Sequence, residues 1–183
     1  PELVERLRAA IDTALDGTSG GTRALPAETL RTDICSMRAR LMRELPPQGP
    51  WDIKRRAGGL MEVEFIAQGL QLLAARPGAR SPCTRVAFTR LARAGMLSAA
   101  DARLLRRADL FWRSAQSMLR ILMGTEIPDI LPPAAKEIMM RELDARDEQG
   151  MLARMDDMAR RVRDAFCRLI GPLPPIGDTD GGA

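Results

Sequence analysis

The sequence predicts an all-α fold, a helical bundle of about six to seven helices with no sheet. The 183 residues are 45% hydrophobic but only 3% aromatic, with no tyrosine. Leucine, alanine, methionine, isoleucine and valine must therefore fill the core, and this composition favours helices over strands. Apolar residues recur at helical spacing in successive segments, whereas no segment alternates convincingly as a strand.

Two predicted helices make up the leading segment, 1–45. Apolar side chains recur at helical spacing through 1–16, and a glycine-rich loop at 17–21 follows. A second helix is expected from about Ala27 to Leu45, and the proline-rich stretch 46–50 stops it. Its predicted inner stripe is Leu30, Ile34, Met37, Leu41 and Leu45, with Arg31, Arg38, Arg40 and Arg43 off the stripe.

The segment 51–75 is the stretch around which the chain is organised. A lead-in that begins at Trp51 ends in three consecutive cations, and two glycines separate it from a helix running from about Leu60 to near Ala75. The cations are Lys54, Arg55 and Arg56, and the glycines are Gly58 and Gly59. A helix start offers free N–H groups and partial positive charge, so these cations beside it are suited to an anion.

One polar stripe runs along the predicted helix, which is otherwise largely apolar. It consists of Glu64, Gln68 and Gln71, while Glu62 lies elsewhere, in the first turn. In a structural interpretation, Lys54 or Arg55 pairs with Glu64 as a buried ion pair. In a functional one, the cations and the stripe face a nucleotide or a partner. We predict that Glu64 is largely buried and paired with one of these two cations.

The bundle segment, 84–170, contains four further predicted helices. Their bounds are about Thr84 to Ala94, Ser98 to Gly124, Ala134 to Leu143, and Glu148 to Ile170. Ser98 is the expected cap of the longest helix, with Asp101 placed as in a capping box. Trp51 and Trp112 are expected core anchors. The methionine-rich seam of the last helix is expected to be ordinary core, and the alternative is a groove that binds partner helices. The Pro/Gly-rich tail 171–183 is expected to be flexible.

The composition excludes several kinds of site. Histidine is absent, and the three cysteines are odd in number and far apart, so neither a disulfide framework nor a metal site is indicated. Asp156 and Asp157 lie among arginines and are interpreted as a solvated face. We expect no catalytic and no metal-binding residue, and a cytoplasmic protein without a membrane span. A nucleic-acid binder is not favoured, because no motif supports it and 24 acids offset the 28 cations.

The central segment resembles the signature of the glutamine synthetase adenylyltransferase/adenylyl-removing enzyme family. That pattern is an Asp-x-Lys, a Gly-Gly-aliphatic turn and an acidic-Ile/Val-Glu-Phe-x-x-Gln helix. The residues that match are Asp52-Ile-Lys54, Gly58-Gly59-Leu60 and Glu62-Val-Glu64-Phe65-Ile66-Ala67-Gln68. The resemblance is strong from about Ile34 to Leu73, including the helix at Met37 to Arg40, and weaker as far as Ile170.

The resemblance implies a place in a larger enzyme. Family members resemble two fused halves, each a nucleotidyltransferase domain followed by a helical domain with this signature; one half attaches AMP to glutamine synthetase and the other removes it. PII signal protein and glutamine control the balance. The triplet Arg55-Arg56-Ala57 departs from the glycine-containing triplet of the removing half, and Glu62 and the tail fit the last domain. We therefore expect 1–170 to be the C-terminal helical domain of the adenylylating half.

The resemblance also implies cofactors and partners. The full-length enzyme would use ATP and Mg²⁺, but the family's catalytic signature, a Gly-Ser turn before paired aspartates, is missing here. We expect an isolated fragment that is inactive and binds neither cofactor by itself. Its expected partners are glutamine synthetase, PII and the preceding nucleotidyltransferase domain, but no nucleic acid and no membrane. In the alternative interpretation, the domain docks glutamine synthetase or PII without touching nucleotide. The residues expected to face nucleotide or a partner are Asp52, Lys54, Arg55, Arg56, Gly58, Gly59, Glu62, Glu64 and Gln68.

Overall fold

Six α-helices and one short 3-10 turn, Pro77–Ala79, form the part of the chain described by the computed structural model, residues 26–74, 76–124 and 126–173. The helices are α1 (Ala27–Glu44), α2 (Leu60–Ala74), α3 (Thr84–Arg93), α4 (Ala99–Met123), α5 (Pro133–Glu142) and α6 (Glu148–Leu169). No strand occurs within these ranges, and the all-α prediction is confirmed. The helix and loop predicted within 1–25, and the tail beyond residue 173, lie outside the described residues.

Local signals place the helix ends. Ser98 caps α4 because its Oγ accepts a hydrogen bond from the Asp101 backbone N–H at 3.0 Å, which confirms the expected cap. Gly124, at a φ of 74°, ends the same helix. Asp147 caps α6 by accepting from the Gly150 N–H at 2.6 Å. The predicted bounds of the six helices therefore agree with the structure to within one or two residues.

Helix α2 is the central element and packs against α1, α3, α4 and α6. Its buried apolar residues are Leu60, Val63, Ile66, Ala67, Leu70 and Ala74. Helix α5 closes the bundle by packing on α4 and α6. The methionine seam of α6 is core as predicted, with Met151 and Met155 fully buried. Both tryptophans are core anchors, since Trp51 is 5% exposed and Trp112 is fully buried.

The predicted inner face of α1 is wrong in part. Met37 and Leu45, assigned to the inner stripe, are 59% and 47% exposed. The buried residue of α1 is Arg38, which the apolar periodicity placed off the stripe. Arg31, also placed off it, donates to the Leu169 carbonyl and, at 3.2 Å, to the Ile170 carbonyl at the end of α6. Ile34 of the predicted stripe does pack against the core, so apolar contacts and the polar contacts with α2 and α6 together set the rotation of α1.

Gly58 and Gly59 allow three elements to meet at one turn. Gly58 has a φ of +71°, and a Cβ on it would lie 1.9 Å from the Ala159 carbonyl oxygen of α6. Its own carbonyl accepts a buried hydrogen bond from the Trp112 indole N–H of α4 at 3.1 Å. A Cβ on Gly59 would lie 2.6 Å from the Ile53 carbonyl oxygen. The turn therefore sets how closely α6 and α4 approach the start of α2.

Replacing Gly58 by alanine should destabilise the domain far more than the same change at Gly95. Gly95 has a φ of +72°, but a Cβ on it would meet no atom within 4 Å, so only the backbone strain of about 1 kcal/mol is expected. Gly58→Ala adds the displacement of α6, and we expect about 3–4 kcal/mol in all. Urea unfolding of both variants measures the difference. Equal losses would mean that α6 moves aside freely.

Candidate functional site

The lead-in of the signature segment is a turn held by Asp52. Its Oδ2 accepts from the Gln48 N–H at 3.0 Å, and its Oδ1 accepts from the Arg55 N–H at 3.0 Å. The Arg55 guanidinium closes back on the same carboxylate, with Nε 2.6 Å from Oδ2. Asp52 and Arg55 thus neutralise each other and shape the chain locally. The charge of Arg55 is already engaged, which lowers its attraction for an anion.

The other two cations of the lead-in differ in their surroundings. Arg56 pairs with Asp156 of α6 at 2.7 Å, and its guanidinium lies 5.2 Å from the centre of the Trp112 ring. Asp156 remains largely exposed, as predicted for a solvated face. Lys54 is exposed and forms no ion pair with any residue in the described ranges. Of the three consecutive cations, Lys54 is the one available to a ligand.

The predicted partner of Glu64 is wrong, and its burial is partial. Glu64 is 29% exposed, and its Oε1 accepts from Arg113 of α4 at 2.9 Å, so neither Lys54 nor Arg55 is its partner. Arg113 also bonds Asp109, a buried carboxylate that Arg85 of α3 contacts at 3.3 Å. Burial acts to lower the pKa of Arg113, but the hydrogen bonds and charges of Asp109 and Glu64 raise it overall. These four side chains form a network between α2, α3 and α4.

The buried ion pair of the segment is built on Glu62 instead. Glu62 is fully buried, and its Oε1 lies 3.0 Å from Arg38 of α1 and 2.7 Å from Arg163 of α6. Burial lowers the pKa of Arg38, an effect that the charge of Glu62 opposes. Its second oxygen, Oε2, is buried and accepts no hydrogen bond from the described residues. A carboxylate so enclosed is stable only with cations beside it.

Sequence reasoning missed both buried carboxylates, although signals for them exist. Glu62 lies in the first turn of a helix that is apolar nearly all round, so its side chain has little solvent to reach. Asp109 lies between Leu105 and Trp112 on the core face of α4, with Arg113 one turn later. For Asp109, the signal is a charged residue inside an apolar seam with an opposite charge at i+4.

The two glutamines of the polar stripe have different surroundings. Gln68 is exposed. Gln71 donates to the Ala67 carbonyl at 3.0 Å and accepts from the Ser81 N–H, so it holds the loop that precedes α3. Of the stripe, Glu64 and Gln68 therefore present polar atoms towards solvent.

A shallow groove of about 550 Å³ lies beside the lead-in. Its walls are Trp51, Asp52, Ile53 and Arg55 on one side, and Gln116, Leu119, Arg120, Gly124, Glu126 and Ile127 on the other. The Trp51 indole N–H donates to the Asp129 carbonyl at 3.0 Å and so fixes one wall. Lys54, Glu64 and Gln68 do not line this groove. Of the predicted site residues, this groove therefore brings together only Asp52 and Arg55.

Neither a metal cluster nor a membrane span occurs in the part of the chain that the structure describes. Within those ranges, no three side chains of the histidine, cysteine, aspartate or glutamate type gather so that they could hold a metal ion. None of the described helices is both long and apolar enough to cross a membrane.

Comparison with known proteins identifies the family. The family model described as GlnD PII-uridylyltransferase matches residues 36–170, which include the second half of α1 and all of α2 to α6. The chain belongs to this family. No solved structure gives a significant match.

Curated relatives of this GlnD PII-uridylyltransferase family member carry the name that the signature suggested. A bifunctional glutamine synthetase adenylyltransferase/adenylyl-removing enzyme of Rhodopseudomonas palustris is 32% identical over 93% of the chain and 17% of its own length. Proteins of the same name from Bradyrhizobium and Stenotrophomonas maltophilia are 30% and 34% identical over 93% and 87% of the chain. The resemblance drawn from the signature is confirmed. The chain spans about a sixth of the length of these relatives.

Within this family member, the signature residues fall into two groups. Asp52, Gly58, Gly59 and Glu62 hold the turn and the packing of α2, as do Arg55 and Arg56 through their ion pairs. Lys54, Glu64 and Gln68 keep polar atoms accessible to solvent. The first group holds the turn and the helix in place, and the second group offers polar atoms at fixed positions on that helix and turn.

Replacing Glu62 by glutamine should destabilise the domain strongly. The change leaves Arg38 and Arg163 facing a neutral group in the interior, and we expect a loss of about 3–5 kcal/mol. The matched control is Glu44→Gln, because Glu44 pairs with Arg40 on the surface of α1. That change should cost no more than about 0.5 kcal/mol. Chemical denaturation gives both values, and a loss at Glu62 as small as the control would show that the triad contributes nothing.

Proposed function

We propose that this chain is the helical domain that follows the nucleotidyltransferase domain in the adenylylating half of a glutamine synthetase adenylyltransferase. Its role is to complete one side of the catalytic cleft, while the preceding domain carries the chemistry. The proposal draws on the family match over residues 36–170 and on the names of the curated relatives.

The division of the signature is the observation that carries this proposal. Glu62 is fully buried, whereas Lys54, Glu64 and Gln68 of the same signature keep polar atoms accessible, so these three are the signature residues available to a substrate or a neighbouring domain. Glu64 is held in place by Arg113, whose Nε bonds the buried Asp109 at 2.8 Å. A polar group with a fixed position on a rigid helix is what a substrate or a neighbouring domain requires.

The cofactors of the reaction belong, in this proposal, to the rest of the enzyme. Nucleotidyl transfer requires carboxylates that hold Mg²⁺ against the phosphates of ATP. The described residues do not fit that task, because no cluster of such side chains occurs among them and Asp52 is committed to Arg55. This chain would contribute Lys54, Glu64 and Gln68 at the border of the cleft.

One observation favours the alternative, a docking module that binds glutamine synthetase or PII without contacting nucleotide. Arg55 and Arg56, two of the three cations expected near phosphates, are already paired with Asp52 and Asp156. Their positive charge is therefore largely cancelled within the domain. Under this alternative, the polar stripe would face a protein.

Incorporation of radiolabelled AMP into glutamine synthetase tests the proposal. The chain alone should show no transfer, and fusion to its preceding nucleotidyltransferase domain should raise transfer well above that domain alone. In the fused protein, Lys54→Glu should lower transfer at least about tenfold, because it reverses a presented charge at the cleft. Arg43→Glu is the control and should have no effect, because Arg43 is exposed on α1 and forms no ion pair with a described residue.

Three results would contradict the proposal. Transfer by the chain alone would place catalytic groups within it. Full activity of the catalytic domain without this chain would show that the chain does not complete the cleft, and would favour the docking alternative. Equal effects of the Lys54 and Arg43 substitutions would show that Lys54 does not face the reaction. Circular dichroism of each variant checks that helix content is unchanged.

A further inference from the structure

Helix α4 has one side in the core and an opposite side that is largely exposed, except at Ser114, which is half-buried and bonds Glu142 of α5. The core side includes Leu105, Ala108, Trp112, Ala115 and Leu119. The opposite side carries Arg103, Arg106, Arg107, Leu110 and Ile121, all exposed. Arg106, Arg107 and Leu110 follow Arg103 at three, four and seven residues, and Ile121 follows Leu110 at eleven, or about three turns, so all five lie along one stripe of the helix. We call these five residues the α4 outer face.

The arginines of the α4 outer face lack acidic partners within the described ranges. Arg103, Arg106 and Arg107 form no ion pair or side-chain hydrogen bond with any residue there. Other exposed arginines, such as Arg43 and Arg141, also lack such partners, but these three lie together within two turns of one helix. The two acids of α4 are engaged elsewhere. Asp101 bonds Ser98 and Arg168, and Asp109 is buried between Arg85 and Arg113.

Like charges one turn apart on a helix repel each other. Arg103 stands at i−3 and i−4 to Arg106 and Arg107, a placement that destabilises a helix by a few tenths of a kcal/mol per pair. No acid within the same stripe relieves the repulsion. Carboxylates brought by another molecule would relieve it, so the α4 outer face is complementary to an acidic surface.

Exposed aliphatic side chains on the same stripe favour a protein as the partner. Leu110 is 56% exposed and Ile121 is 78% exposed. The centres of protein interfaces are more apolar than their rims. A surface built for a phosphate backbone has no use for two exposed aliphatic residues in its line.

We propose that the α4 outer face docks glutamine synthetase, through a region of that protein with carboxylates opposite the arginines and an apolar patch opposite Leu110. The inference rests on the proposed function, since glutamine synthetase enters through the names of the relatives. The stripe from Arg103 to Ile121 is about 27 Å long. With a width of about 10 Å it is well below the roughly 800 Å² per partner of a stable interface, so the contact is weak, transient and sensitive to salt.

Binding of the 183-residue chain to glutamine synthetase at low and high salt tests this assignment. The triple variant Arg103→Glu, Arg106→Glu and Arg107→Glu should raise the Kd at least about tenfold at low salt. The control reverses the same number of exposed arginines elsewhere, Arg43→Glu, Arg141→Glu and Arg146→Glu, and should change the Kd less than about threefold. Leu110→Ser should weaken binding without changing its salt dependence.

The outcomes separate the docking surface from general charge effects. Equal losses for the two triple variants would overturn the proposal, as would failure of the unmodified chain to bind glutamine synthetase. A short DNA duplex is the second probe. If the α4 arginines govern DNA binding and leave binding of glutamine synthetase unchanged, the face is a nucleic-acid surface and the proposal fails.

Enzyme kinetics distinguish failure of the docking surface from failure of the proposed function. In the fused enzyme, the α4 triple variant should raise the KM for glutamine synthetase about tenfold while kcat stays within about twofold. A fall in kcat at unchanged KM would overturn the docking role. If fusion does not raise AMP transfer at all, the proposed function fails, whereas the binding measurement still decides whether α4 contacts glutamine synthetase.

Discussion

The enclosed carboxylate of Glu62 is the constraint on which the arrangement of the helices depends. It belongs to α2 and bonds Arg38 of α1 and Arg163 of α6, so one group fixes three helices relative to one another. Helix α1 depends on it most, because Arg38 is its buried residue. Apolar contacts tolerate sliding, whereas an ion pair in the interior is satisfied at one register only. The triad therefore contributes specificity of packing even if its net free energy is small.

One turn earlier, Gly58 imposes a second geometric condition on the same helices. Its missing Cβ lets the Ala159 carbonyl of α6 approach, and its carbonyl binds the Trp112 indole. The features that identify the family, a glycine pair and an acidic helix start, are thus explained in large part by packing. Lys54 and Gln68 take no part in this packing and remain exposed. They are therefore the signature residues to test first for a functional role.

Much of the fold could be predicted from the sequence, but the pairing of charges could not. Helix positions, the Ser98 cap and both tryptophan anchors follow from local patterns, which act over a few residues. Which side of α1 faces the bundle, and which cation meets which acid, depend on residues far apart in the chain. Arg163 is 101 positions from Glu62, and Arg113 is 49 from Glu64. Periodicity favoured Met37 for the inner face, and Lys54 or Arg55 was expected to pair with Glu64, because no local signal reports a distant partner.

The two tryptophans give this domain intrinsic optical probes of its own assembly. With no tyrosine in the chain, they dominate its near-ultraviolet absorption and its intrinsic fluorescence. Trp112 is sealed in the core with the Arg56 guanidinium over its ring, so its emission reports whether α4, α6 and the glycine turn remain assembled. Trp51 forms part of the groove wall, so its emission reports changes in the environment of the lead-in. A version with phenylalanine at either position would report on one region alone, without an attached dye.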